Sequence, residues 1–118
     1  MAVRRAKTAA PTVTPLAELR RSPTAALFEG GEEIAASIFV TRYERGQGPD
    51  LHVHPYPEVF VVQTGTATFT VGSEKLTVGA GNIVTVPADT PHGFKGAGDD
   101  VLRVTSVHPN GTVIQTDL

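Results

Sequence analysis

Residues 46 to 65 read GQGPDLHVHPYPEVFVVQTG, and this stretch places three potential metal ligands, His52, His54 and Glu58, within seven residues. Side chains on a β-strand alternate between its two faces, so His52 and His54 are predicted to point to the same side. The two prolines that follow cannot donate hydrogen bonds to a sheet and favour a chain reversal. The reversal would bring Glu58 back toward the histidines, at the start of the predicted strand VFVVQT.

A fourth candidate ligand lies downstream in the segment GNIVTVPADTPHGFKG. Here a predicted strand over residues 83 to 86 ends at a proline, and His92 opens another extended segment after a short loop. Three imidazoles and one carboxylate suit borderline divalent ions such as Mn, Fe, Ni, Cu or Zn. Burying such a cluster without metal would leave polar groups that need other partners. The sequence therefore predicts a site for one divalent transition-metal ion, whose ligands are His52, His54, Glu58 and His92.

These residues resemble the first motif of the cupin superfamily, which is Gly, five residues, His-x-His, three or four residues, Glu, six residues, Gly. The motif is met in full by Gly46, His52, His54, Glu58 and Gly65. The family's second motif, Gly, five residues, Pro-x-Gly, two residues, His, three residues, Asn, is met by Gly81, Pro87 and His92. It departs where Asp89 replaces the usual Gly and Gly96 the usual Asn. Neither position is a ligand in the family, so the departures concern loop shape.

The resemblance covers about residues 34 to 109 and implies an all-β fold, a jelly-roll barrel or double-stranded β-helix, with a single cupin domain and the metal inside. It also implies enzymes of the oxygenase, isomerase, epimerase, decarboxylase or cyclase type. Glu58 is then a candidate catalytic base as well as a ligand. Fold alone does not decide function, so a barrel that binds a small ligand without turnover stays open as the alternative. A storage barrel would have little use for a full ligand set.

Other residues receive plainer interpretations. His108 lies outside both motifs and is expected to be an ordinary hydrogen-bonded histidine. Tyr56 could reach the mouth of the site from its turn, but an exposed turn residue is the preferred interpretation. Phe39, Tyr43, Phe60 and Phe94 are candidates for the barrel lining, and plain core packing explains them equally well. This candidate lining is aromatic and apolar, with few charges apart from Arg42 and Arg103. It therefore favours a neutral or aromatic substrate over a sugar phosphate.

Length and composition agree with one small domain of 118 residues. The chain contains no cysteine, which excludes disulfides and thiolate ligands. It has no run of about 18 apolar residues and no apolar segment after its basic start, so neither a membrane span nor a secretion signal is expected. We therefore expect a cytoplasmic protein.

The first 26 residues form a separate block with five basic residues and one acidic residue, whereas the remainder has five basic and eleven acidic residues. Pro- and Thr-rich segments of this kind bury too little to order themselves. The predicted organisation is thus a flexible basic arm over residues 1–26 and a barrel domain over residues 27–118. The sequence has no basic patch with interleaved aromatic residues, so nucleic-acid binding is not expected. The resemblance implies a homodimer, and the expected partner otherwise is a small-molecule substrate or ligand.

Overall fold

The computed structural model describes residues 10–118. One short 3-10 helix spans Leu16–Leu19, in the segment where proline and a short apolar run allow a helical turn. The strands among these residues are β1 (Arg20–Ser22), β2 (Ala25–Glu29), β3 (Ser37–Tyr43), β4 (His52–Val53), β5 (Glu58–Thr64), β6 (Thr66–Val71), β7 (Glu74–Gly79), β8 (Asn82–Val86), β9 (His92–Gly96), β10 (Leu102–His108) and β11 (Thr116–Asp117). No helix in this part of the chain has the length and apolar character needed to cross a membrane.

The strands form two antiparallel sheets, and this confirms the predicted all-β jelly-roll architecture. One sheet has the order β1-β2-β3-β10-β5-β8, and the other has the order β11-β4-β9-β6-β7. Several neighbours in the sheets are distant in sequence, as in the pairing of β10 with both β3 and β5. Such crossings are typical of double-sheet folds that limit exposed strand edges.

The interior between the sheets changes from apolar to polar along the strands. Alternate residues of β5 and β10 are buried, as expected for strands with one face on a core. At one end these residues are apolar, and they join the aromatic cluster of Phe60, Phe69 and Phe94. At the other end the buried positions are Glu58 on β5 and His108 on β10. The sheet pattern thus places the buried Glu58 and His108 at the same end of the interior.

The boundary between arm and barrel expected at residues 26 and 27 falls inside β2. The antiparallel pairing of β1 with β2 extends the sheet back to Arg20, because β2 also pairs with β3 and fixes this hairpin on the barrel. Residues 1–9 of the predicted basic arm lie outside the described residues. The flexibility of the arm stays a prediction.

Both departures from the second cupin motif have a conformational account. Asp89 adopts a left-handed backbone conformation with φ of 58°, in the position where the motif usually has Gly. Aspartate tolerates this region better than most residues, and the Asp89 N–H donates to the His54 carbonyl at 2.8 Å. Gly96 is buried, and an added Cβ would lie 2.5 Å from the Glu44 carbonyl oxygen. The motif's usual Asn therefore does not fit at position 96 of this backbone.

Candidate metal centre

The four predicted ligands meet at the polar end of the barrel interior. His52 lies on β4, directly opposite His92 on β9, and His54 follows two residues after His52. Glu58 is the first residue of β5, after the Pro-Tyr-Pro turn. All four side chains are buried, and one ligand atom from each lies within 4.8 Å of the others. The structure thus brings together the four residues that the motifs identified.

Each of the three motif histidines is oriented by a backbone carbonyl. The Nδ1 atoms of His52, His54 and His92 lie 2.6, 2.7 and 2.8 Å from carbonyl oxygens, which belong to Asp50, Ile114 and Thr90 respectively. A carbonyl oxygen can only accept, so Nδ1 carries the proton in each ring. In the neutral ring Nε2 then has a free lone pair, which is the form that binds metal ions.

Glu58 lies among these lone pairs. Its Oε1 atom is 3.1 Å from His54 Nε2 and 3.0 Å from His92 Nε2, and only the contact with His92 has hydrogen-bond geometry. Despite the short distance, His54 Nε2 is a buried atom with no hydrogen-bond partner among the described residues, because the contact with Oε1 has poor hydrogen-bond geometry. Nitrogen lone pairs and a carboxylate oxygen at this separation need a positive charge between them.

A divalent metal ion fits this need. Ligand atoms about 2.0–2.2 Å from a metal ion lie at most about 4.4 Å apart, which is close to the spread of the four atoms here. The nitrogen and oxygen donors suit a borderline divalent ion. The cluster can therefore bind one such ion, as the sequence predicted.

Burial and contacts inside the cluster shift the pKa values of His52, His54 and Glu58. Burial lowers the pKa of His52, which keeps this ring neutral at pH 7. Burial also acts to lower the pKa of His54, but contacts with Glu58 and with the Ile114 carbonyl outweigh it and raise that pKa. For Glu58, burial would raise the pKa, yet the surrounding histidines, with His108 first, hold it far below its ordinary value. Glu58 is therefore an ionised carboxylate at neutral pH.

His108 and Tyr56 lie beside the four ligand candidates. His108 is hydrogen-bonded as expected, but its contact with Glu58 was not anticipated from the sequence, and the interpretation of Tyr56 as an exposed turn residue was wrong. His108 is buried, and its Nε2 lies 3.0 Å from Glu58 Oε2. Tyr56 is half-buried and stacks on the His54 ring at a centroid distance of 5.2 Å. Its hydroxyl group forms a hydrogen bond with His108 Nδ1. The alternation of buried residues along β10 could have predicted that His108 faces the interior. Leu102, Val104, Ser106 and His108 occupy alternate positions, and all four are buried.

A cavity of about 220 Å³ borders the cluster. It is lined by Ala25, Phe39, Thr41, Tyr43, Pro49, His52, Glu58, Phe60, Phe94, Ser106, His108 and Gln115. The lining includes all four aromatic residues that the sequence offered as candidates for it. Arg42 and Arg103 are exposed and do not contribute to the lining, and among residues 10–118 no lysine or arginine lines the cavity.

The sequence of residues 39–108 matches the family profile described as the cupin domain. The match covers more than half of the chain and includes all four predicted ligands. This chain belongs to the cupin family. No protein of curated function matches the sequence of this cupin.

Solved structures share the fold of this cupin at low sequence identity. An uncharacterized conserved protein with a double-stranded β-helix domain from Klebsiella pneumoniae is 21% identical, with a TM-score of 0.73 over 91% of this chain and 96% of that chain. A cupin-like protein from Thermotoga maritima is 15% identical, with a TM-score of 0.68 over 80% of this chain and 75% of that chain. Oxalate decarboxylase from Bacillus subtilis, which has Mn(II) centres, is 20% identical, with a TM-score of 0.74 over 87% of this chain and 31% of that chain.

Proposed function

We propose that this cupin is a metal-dependent enzyme, of the oxygenase, isomerase or cyclase type, that acts on a small organic molecule without strong negative charge. The observation that carries the proposal is the position of the four-residue cluster at the wall of a cavity large enough for a small molecule. Concave sites lined by apolar side chains with a few convergent polar groups are typical of small-molecule binding. We further propose that His52, His54, Glu58 and His92 are the metal ligands.

The cavity lining supports the choice of substrate class. Aromatic rings of Phe39, Phe60 and Phe94 offer apolar surface to a flat substrate body. Oxalate, the substrate named for the Bacillus subtilis decarboxylase, carries two negative charges. Within the described part of the chain the lining holds no lysine or arginine to balance a second charge, and an unpaired buried charge is costly. A neutral or aromatic substrate with one metal-binding oxygen agrees better with this wall.

Glu58 is the proposed catalytic base. A divalent ion held by the cluster would supply Lewis-acid chemistry to an oxygen atom of the substrate. Glu58 Oε1 faces His54 and His92, whereas Oε2 faces His108. The two oxygens thus face different groups, so that Oε2 can accept a substrate proton while Oε1 stays with the ligands.

Glu58→Gln is expected to lower turnover by about 10²-fold or more, the usual contribution of a general base. Metal content should fall less, because glutamine keeps an oxygen at the same position. The assay loads the protein in turn with iron, manganese and nickel and offers catechol and acetylacetone. It follows oxygen uptake and identifies products by mass spectrometry.

Glu74→Gln, an exposed change on β7, is the matched control and should leave turnover and metal content unchanged. Equal loss of metal and turnover in Glu58→Gln would contradict a role for Glu58 as base. Binding of either compound by the native protein without turnover would favour the alternative, a non-catalytic ligand-binding module. The homodimer and the cytoplasmic location stay predictions.

A further inference from the structure

The fourth histidine of the chain, His108, has a different hydrogen-bond partner from the three motif histidines. His108 Nδ1 lies 2.8 Å from the hydroxyl oxygen of Tyr56, where the others face carbonyl oxygens. A hydroxyl can donate as well as accept, so the partner by itself does not fix the position of the ring proton. The position of the proton on the His108 ring follows from the second hydrogen bond of the Tyr56 hydroxyl.

The Tyr56 hydroxyl oxygen accepts a hydrogen bond from the backbone N–H of Ile114 at 3.1 Å. An amide N–H can only donate, so the hydroxyl hydrogen stays available for another acceptor. Within residues 10–118 that acceptor is His108 Nδ1. A neutral histidine that accepts at Nδ1 carries its proton on Nε2. The His108 ring therefore has the opposite tautomer to the three motif histidines.

One residue of the C-terminal segment fixes both tautomers. The Ile114 carbonyl accepts from His54 Nδ1 and leaves His54 Nε2 without a proton. The Ile114 N–H, through Tyr56, leaves His108 Nε2 with one. A nitrogen that carries a proton has no lone pair for a metal ion. His54 is thus prepared as a ligand and His108 as a hydrogen-bond donor.

The donor of His108 lies at the cavity wall without a good partner. Its Nε2 is buried and 3.0 Å from Glu58 Oε2, but this contact has poor hydrogen-bond geometry, and no other described residue accepts from it. His108 also lines the cavity. The Glu58 carboxylate attracts this N–H without a well-aligned hydrogen bond, so a bound molecule that brings an acceptor oxygen into line with the N–H gains a hydrogen bond from it.

We propose that His108 is the ligand-orienting donor of this site and not a further metal ligand, and that its Nε2–H binds a carbonyl oxygen of the molecule in the cavity. The proposal rests on the proposed small-molecule site and names its ligand class, a compact carbonyl compound with an apolar body. Phe39, whose ring lies 5.3 Å from that of His108 between centroids, offers a surface for this body.

The tautomer is tested by nitrogen NMR, which does not depend on turnover. Long-range proton–nitrogen correlation spectra of ¹⁵N-labelled protein are recorded without metal and with Zn²⁺, and signals of His108 are identified by their loss in His108→Gln. We expect a protonated Nδ1 in each motif histidine and a protonated Nε2 in His108, in both samples. A protonated Nδ1 in neutral His108, or a zinc-bound Nε2, would overturn the proposal.

The ligand class is tested by calorimetric titration of acetylacetone into zinc-loaded protein. His108→Leu removes the donor and should raise Kd about tenfold or more, whereas His108→Gln keeps an N–H donor and should stay within about threefold of the native value. Both variants should retain near one equivalent of zinc, which also shows that they fold. Unchanged affinity in His108→Leu, or no binding by the native protein at millimolar concentration, would overturn the proposed ligand class.

Discussion

Alanine at both His52 and His92 is expected to abolish tight metal binding. The native protein should retain about one equivalent of Zn²⁺ after exhaustive dialysis, and the double variant about a tenth of this or less. Only His54 and Glu58 would remain of the four converging groups, and two ligands do not hold a borderline divalent ion against water. Elemental analysis of protein purified without affinity tag or chelator measures the result.

The chain offers a matched histidine control for this experiment. His108→Gln removes the histidine that contacts Glu58 but carries its proton on Nε2, so its zinc content should remain near that of the native protein. Retention of zinc by the double alanine variant would contradict the site. Equal loss in the double variant and in His108→Gln would instead mean that His108 is a ligand, against the tautomer inferred here.

Phe69→Ala is expected to lower the free energy of unfolding by about 3–5 kcal/mol. Phe69 is fully buried, and its ring stacks on Phe94 at a centroid distance of 4.8 Å and meets Phe60 edge-on at 5.2 Å. Its removal leaves a cavity between the two sheets. Because domains of this size have only about 5–15 kcal/mol of stability, the effect should be obvious in urea denaturation of the metal-free protein.

Ile83→Thr is the matched control for Phe69→Ala. Ile83 lies on β8 with 65% of its side chain exposed, and threonine keeps the β-branched shape. The change in unfolding free energy should be within about 0.5 kcal/mol. An equal effect of the two substitutions would contradict the position of the barrel core.

The motif residues could be predicted from the sequence because local geometry brings most of them together. His52 and His54 share a strand face, and the prolines between His54 and Glu58 reverse the chain. These contacts span few residues and need no knowledge of the sheets. His92 was a candidate because it opens an extended segment after a short loop, and the second cupin motif matched it. Its pairing with His52 across β4 and β9 agrees with that expectation.

The second set of site residues depends on long-range register, which the sequence did not reveal. His108 is the last residue of β10. Its position beside Glu58 follows from the pairing of β10 with β5, in which Val107 lies opposite Val59. The contact of Ile114 with His54 spans 60 residues. Local patterns carry no signal for contacts of this kind.

The loop at Asp89 shows a related limit. The sequence identified the departure from glycine and expected a change in loop shape. The backbone instead keeps a left-handed conformation at Asp89, where the motif usually has glycine, and its N–H bonds to the carbonyl of the ligand residue His54. The departure therefore lies at a residue that hydrogen-bonds to the backbone of a predicted ligand, which the sequence did not suggest.

The position of a bound metal ion tests the central claim most directly. Crystals grown with Mn²⁺ or Zn²⁺ should show one strong anomalous-scattering peak, about 2.0–2.2 Å from Nε2 of the three motif histidines and from Glu58 Oε1. His108 Nε2 should lie outside this ligand sphere. An absent peak, or a peak away from this cluster, would contradict the assignment of the site.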